Sequence, residues 1–218
     1  MFKKSHIVLF LIALLTMSTS CSASTDKTPK AINNTADTTA QQARQQLPPL
    51  PERPTGTAWI VVSKLNQTLS VYDRNATGDT VLVAQFPCCM GKNKGNKVKR
   101  GDMRTPESPT GKPFKITMIQ DASDWHHNFK DGRGNILAYG HWFLRLETPG
   151  HRGIGIHGST NNENTVPGRA SEGCIRLLDK DIITLKEHFA YIGMPVTVQA
   201  EGAAPFPWEQ RVRQSALK

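Results

Sequence analysis

Cysteine is scarce in this sequence: four residues in 218, too few for a disulfide scaffold. Aromatic residues are only 7 %, and the 17 Gly and 14 Pro follow no triplet or longer period. Collagen-like and repeat architectures are thereby excluded. The apolar run Ile7 to Leu15 holds nine residues. As a helix, nine residues span roughly 14 Å, about half a bilayer core, so a polytopic membrane protein is excluded as well. Acidic residues are in deficit, 18 against 27 Lys+Arg, for a formal charge of +9. Yet hydrophobic residues reach 38 % and charged ones only 21 %, which is not the balance of a disordered polyelectrolyte. The length suits one ordinary domain with appendages.

What is present begins with an address. Lys3 and Lys4 precede the apolar run, and Thr16 to Ser20 is mostly small and polar. This order of charge, apolar stretch and small residues is that of a secretory signal. Cys21 follows Ser18-Thr19-Ser20 directly, which resembles a bacterial lipoprotein cleavage site and implies a lipid on Cys21. An apolar residue is usual where Ser18 stands, so the match is imperfect. Residues 1–21 are therefore read as a lipoprotein-type signal and 22–55 as a flexible tether. The tether is rich in Thr, Ala, Gln, Asn and Pro, with too little apolar surface to offset its ordering entropy. The expected place of work is the periplasm or another part of a bacterial envelope, with the lipid holding the chain to a membrane.

From residue 56 to 200 the texture is that of a domain. Trp59 to Val62, Leu69 to Tyr72 and Val81 to Ala84 are short β-branched runs separated by turn chemistry. Phe114 to Met118, Trp142 to Leu146, Ile154 to His157 and Val196 to Gln199 follow, so the class is mostly β, of sandwich or barrel type. One helix is expected after Leu177, capped by Asp179 and burying Ile182, Leu185 and Phe189 at i, i+3 and i+7. Residues 201–218 read as a loosely packed basic tail.

The chemistry concentrates in Gly155-Ile156-His157-Gly158-Ser159-Thr160 and Ser171-Glu172-Gly173-Cys174-Ile175-Arg176. A thiol at a glycine turn is exposed, and the Gly173 and Cys174 amides can face an oxyanion. A free thiol is mostly protonated at neutral pH, so it needs a base; an imidazole in reach takes the proton and later returns it to a leaving amine. Acyl transfer through a thioester is the natural reaction of that pair.

The stretch from about Ala58 to Gln199 resembles the L,D-transpeptidase (YkuD-like) catalytic domain. His157-Gly158-Ser159-Thr160 with Ser171-x-Gly173-Cys174-Ile175-Arg176 carries the likeness, supported by Gly101-Asp102-Met103-Arg104-Thr105-Pro106-Glu107 and Tyr139-Gly140-His141-Trp142-Phe143. The resemblance implies a β-sandwich-like fold, Cys174 as nucleophile, His157 as base and acid, and peptide stems of peptidoglycan as substrate. Gly173, Ser171, Gly158 and Ser159 are expected at the substrate. Arg176 either holds a substrate carboxylate or braces its loop, and Tyr139 either aids the oxyanion or lines the cleft. No metal or organic cofactor is implied. The acceptor is an amine or, in a hydrolytic alternative, water; a wall-binding lipoprotein without catalysis is the other alternative. Glu172 stands where many relatives have His, and an anion there disfavours a thiolate.

Three further signals receive bland readings. Lys92, Lys94, Lys97, Lys99 and Arg100 form a basic run expected to be a solvated loop, with attraction to anionic envelope polymers as its functional alternative. Without aromatic or motif context the run does not indicate nucleic acid. Trp125 to Phe129 is expected to roof the substrate cleft, and Cys88 and Cys89 to be buried without a disulfide to Cys174.

Overall fold

The computed structural model describes residues 47–215. The signal sequence, Cys21 and most of the expected tether lie outside the described residues.

Three short β-branched runs open the domain as an antiparallel meander: β1 (Trp59–Ser63), β2 (Thr68–Arg74) and β3 (Thr80–Pro87). They are followed by β4 (Cys89–Gly91), β5 (Phe114–Asp121), β6 (His126–Asn128), β7 (Asn135–Leu137) and β8 (Trp142–Leu146). Then come β9 (Gly155–His157), β10 (Gly168–Ser171), β11 (Ile175–Arg176), helix α1 (Asp179–His188), β12 (Pro195–Val198) and helix α2 (Pro207–Ser215). Ten strands form one sheet in the order β10-β4-β11-β9-β8-β5-β12-β1-β2-β3, while β6 and β7 pair apart as a hairpin.

Only Cys88 separates β3 from β4, yet the two lie eight places apart in that order. Eight steps across a flat sheet cover about 38 Å, far beyond the reach of one residue. The sheet must therefore roll over on itself, and Cys88 bonds to both parts: its amide donates to Gln67 and its carbonyl accepts from Gly168. The roll encloses a core drawn from both ends of the order, including Val62, Leu69, Phe86, Met90, Leu144, Ile156 and Ile175. This is the mostly β, sandwich-like class expected from the strand pattern, with α1 following the cysteine motif.

The α1 stripe Ile182, Leu185 and Phe189 is buried in the same core, worth about 1.5–3 kcal/mol for each side chain. Asp179 does not cap this helix. Leu178 is the capping residue, and Asp179 begins the first turn with its carboxylate turned outward to the neighbouring His157 loop. Helix periodicity shows where α1 starts only to within a residue or two, and a carboxylate in the first turn serves the helix dipole in either place.

The expected loose tail is also corrected. Alternation along β1–β3 sends Val61, Tyr72 and Leu82 to the face away from the main core, and α2 covers them with Trp208 and Val212. Trp208 meets Tyr72 edge-on at 4.8 Å between ring centroids. Beside it Glu209 is buried, accepting hydrogen bonds from the Tyr72 hydroxyl (2.9 Å), the Gln199 amide (3.1 Å) and the Phe206 N–H (2.7 Å). One apolar pair in a polar, basic segment gives too weak a pattern to reveal a helix whose stability comes from packing. The end of the expected tether is likewise tied down: the Pro51 carbonyl accepts from His188 Nδ1 at 2.6 Å, and the Thr55 hydroxyl donates to Asp73 at 2.7 Å.

Candidate active site

β9 and β11 are parallel neighbours, with Ile175 opposite Ile156 and Arg176 opposite His157. Cys174 immediately precedes β11, so this register brings two segments seventeen positions apart in sequence onto adjacent strand ends. Cys174, His157, Arg176, Tyr139 and Ser171 line one cavity of about 240 Å³. Cys174 is half-buried and bears a free thiol, whose Sγ lies 3.4 Å from the Gly153 carbonyl.

The imidazole of His157 is almost fully buried, held by Phe143 stacked at 5.6 Å and Tyr139 at 4.8 Å between centroids. Its Nδ1 is 2.7 Å from the Gly158 carbonyl. A carbonyl only accepts, so Nδ1 carries the proton and Nε2 of the neutral ring is the free base. Gly158 in turn donates its N–H to the Tyr139 carbonyl at 2.7 Å. A side chain on Gly158 would run into Asp179 and the Gly140 backbone, and Gly140 itself has φ +70°. Both positions therefore need glycine for the close approach of two loops.

Asp179 accepts from the Ser159 N–H at 2.7 Å and from the Thr160 hydroxyl. Gly158 and Ser159 thus stand behind the cavity and shape the His157 loop; neither lines the substrate space as expected. Ser171 has a comparable role at the cysteine turn. Its buried hydroxyl accepts from the Gly173 N–H at 3.1 Å and donates to the Cys174 carbonyl at 2.6 Å. That contact occupies the Gly173 amide, against the expectation that it faces an oxyanion.

Burial pushes the Cys174 thiol above its usual range, against the opposing pull of the Gly155 amide, Arg176 and Lys97. Burial, with the Arg176 charge second, lowers His157 to about 3, the Gly158 contact opposing. Both shifts favour the neutral forms, thiol and imidazole, over an ion pair at rest. With the thiol pKa raised, its thiolate fraction at pH 7 is small and grows about tenfold per pH unit. Iodoacetamide labelling of Cys174 is expected to rise monotonically above about pH 7. A plateau of rapid labelling at acidic to neutral pH would mean a resting thiolate–imidazolium pair instead. Tyr139 is also raised, by burial first and then by Cys174 and Glu172, and so remains a phenol able to donate.

Arg176 is buried, with its Nε unpaired and its guanidinium 5.1 Å above the Phe129 ring. Phe129 and His127 come from the β6–β7 region, which does border the cavity as the roof reading expected, as a hairpin instead of a loop. Glu172 is half-exposed, and its carboxylate lies 3.4 Å from His127 Nε2. Cys88 and Cys89 are buried and free. The solvated-loop reading fails for Lys97: it is buried, pairs with Asp102 at 2.9 Å and borders the cavity. Against the opposing effect of burial, the Lys97 ammonium and then the Val98, Lys99 and Arg104 amides hold the Asp102 carboxyl far below the usual range. Sequence reasoning did not find Arg152 or Gly153, whose only local signal is a turn before β9.

A rolled β-sheet that brings a half-buried thiol and an oriented imidazole to one cavity defines the class of site. A sequence model of the YkuD L,D-transpeptidase catalytic domain matches residues 57–198, well over half the chain, and the chain belongs to that family. Among solved structures it is similar to the Bdellovibrio bacteriovorus protein Bd1075 (19 % identity, TM-score 0.47, covering 78 % of this chain and 59 % of that one). It is similar also to an L,D-transpeptidase from Mycobacterium smegmatis (20 %, TM-score 0.43, covering 66 % and 58 %). A third similar structure is the helical cell shape determining protein Pgp2 from Campylobacter jejuni (18 %, TM-score 0.47, covering 72 % and 52 %). The chain thus spans between 52 % and 59 % of these proteins' own lengths. No curated protein matches the sequence.

Proposed function

We propose that this chain is an exported cysteine L,D-transpeptidase acting on peptidoglycan stem peptides through a thioester on Cys174. The observation that carries the reading is the shared cavity of a free thiol and an imidazole whose Nδ1 is pinned by the Gly158 carbonyl. His157 Nε2 takes the Sγ proton as sulfur attacks the carbonyl carbon of the stem's L-centre, meso-diaminopimelate in many bacteria. The carbonyl electron pair moves to oxygen. With the Gly173 amide occupied, the Cys174 amide and the Tyr139 phenol are the donors for that charge. As the C–N bond breaks, the imidazolium returns the proton to the leaving D-alanine amine. An acceptor amine then attacks the thioester, its proton passes through His157 to the departing sulfur, and the thiol is restored.

Arg176 suits a substrate carboxylate in this scheme, because a buried guanidinium with no ion-pair partner among the described residues is at its most favourable when an anion docks. Lys3 to Cys21 supports export and membrane attachment through a lipid on Cys21. Incubating the protein with tetrapeptide-stem muropeptides and reading the products by mass spectrometry tests the reaction. Cross-linked dimers and released D-alanine are the expected products. Shortened stems alone would reassign the acceptor to water, and unchanged substrate would refute the acyl-transfer reading.

A further inference from the structure

Four cations border the cavity, Lys97, Arg100, Arg152 and Arg176, against the one carboxylate of Glu172. They are not equivalent. Lys97 is balanced by Asp102, and Arg176 belongs to the first carboxylate site. Arg100 and Arg152 are exposed, and among the described residues neither makes an ion pair or a side-chain hydrogen bond. Their placement is selective: of the basic run from Lys92 to Arg100, only Lys97 and Arg100 border the cavity, while Lys92, Lys94 and Lys99 do not. Arg152 adjoins Gly153, whose carbonyl faces the Cys174 thiol. Two uncompensated guanidinium groups therefore share walls with the reacting sulfur.

We propose that Arg100 and Arg152 form a second carboxylate subsite, distinct from Arg176, which makes the cleft select stem peptides with free carboxylates over amidated ones. The proposal rests on the stem-peptide reading of the cavity and adds to it which form of the stem is taken. Guanidinium groups suit the task because they pair with carboxylates through a fork of donors and never lose their charge. Peptide carboxylates are favoured over a surface polyanion because these two side chains border the thiol's own cavity, not the outer run of lysines.

The test is a calorimetric titration of the full chain carrying Cys174→Ala, with a free-carboxylate stem tetrapeptide and with its analogue amidated at diaminopimelate and glutamate. Tighter binding of the free form, by about tenfold at low salt, is expected. In the added double variant Arg100→Gln/Arg152→Gln this advantage shrinks at least about threefold. In Lys92→Gln/Lys94→Gln/Lys99→Gln it persists. Equal affinity for the two stems, no binding of either, or equal loss in the lysine variant would overturn the subsite. Failure of the stem-peptide reaction itself registers elsewhere, as unchanged muropeptides with the wild-type chain.

Discussion

Replacing Cys174 by alanine is expected to lower turnover of stem peptides by about 10⁴-fold or more while the fold persists. The reasoning is chemical: on the proposed route Cys174 is the nucleophile and His157, in the same cavity, its base, so without the thiol the two-step path through a thioester disappears whole. The structural consequence is small. Cys174 is half-buried, and the contacts of its sulfur are with backbone groups, the Gly153 carbonyl at 3.4 Å and the Gly155 amide. Its neighbours are set by the Ser171 hydroxyl and the β9–β11 pairing, neither of which involves the side chain. Intact-mass spectrometry with a carbapenem provides a second readout, since a covalent increment is expected on wild type and not on the variant. An increment that survives in Cys174→Ala would place the nucleophile elsewhere.

Removing the carboxylate of Asp179 should be nearly as damaging, though the residue touches no substrate. It holds the Ser159 N–H and the Thr160 hydroxyl, and its carboxylate occupies the space that a Cβ on Gly158 or Gly140 would need. Ser159 is fully buried, so Asp179→Ala leaves its N–H without partner or water. Losing two hydrogen bonds to a charged acceptor costs about 2–4 kcal/mol in stability, or about 5–12 °C in Tm for a domain of this size. The same loop carries the carbonyl that sets the His157 tautomer, and displacement of about 1 Å there lowers kcat/KM by about 10²-fold. Asp179→Asn retains an acceptor oxygen for Ser159 and is expected to recover much of both losses. Thermal unfolding by circular dichroism, together with kcat/KM for the two variants, checks this. An unaltered rate in Asp179→Ala would show that the clamp does not position His157.

Seven of the twelve strands among the described residues, the α1 stripe and the paired cysteine and histidine motifs were legible from residues alone because each rests on local periodicity or on rare residue types at glycine turns. By contrast, β4, β6, β7, β10 and β11 are too short, at two to four residues, to show a period. Misreadings arose where a residue's partner is fixed by how the chain folds back and not by local periodicity, whether that partner is five residues away or more than a hundred. Asp179 resembles a helix cap until the Ser159 loop is brought 20 residues back to meet it. Lys97 looks like one of five solvated charges until Asp102 folds the run around itself. Trp208 and Glu209 look like a frayed end until Tyr72, 137 residues from Glu209, offers its hydroxyl.

By itself, then, the sequence determined the fold class, the family and the cysteine–histidine motif on which the proposed chemistry rests, since period-two alternation and short motifs are properties of neighbours in the chain. Only the tertiary structure decided that the Gly173 amide is already bonded, which imidazole nitrogen carries the proton, and which cations border the thiol's cavity. Those depend on hydrogen bonds and burial between segments that the rolled sheet brings together, and such contacts leave no local pattern in the order of residues.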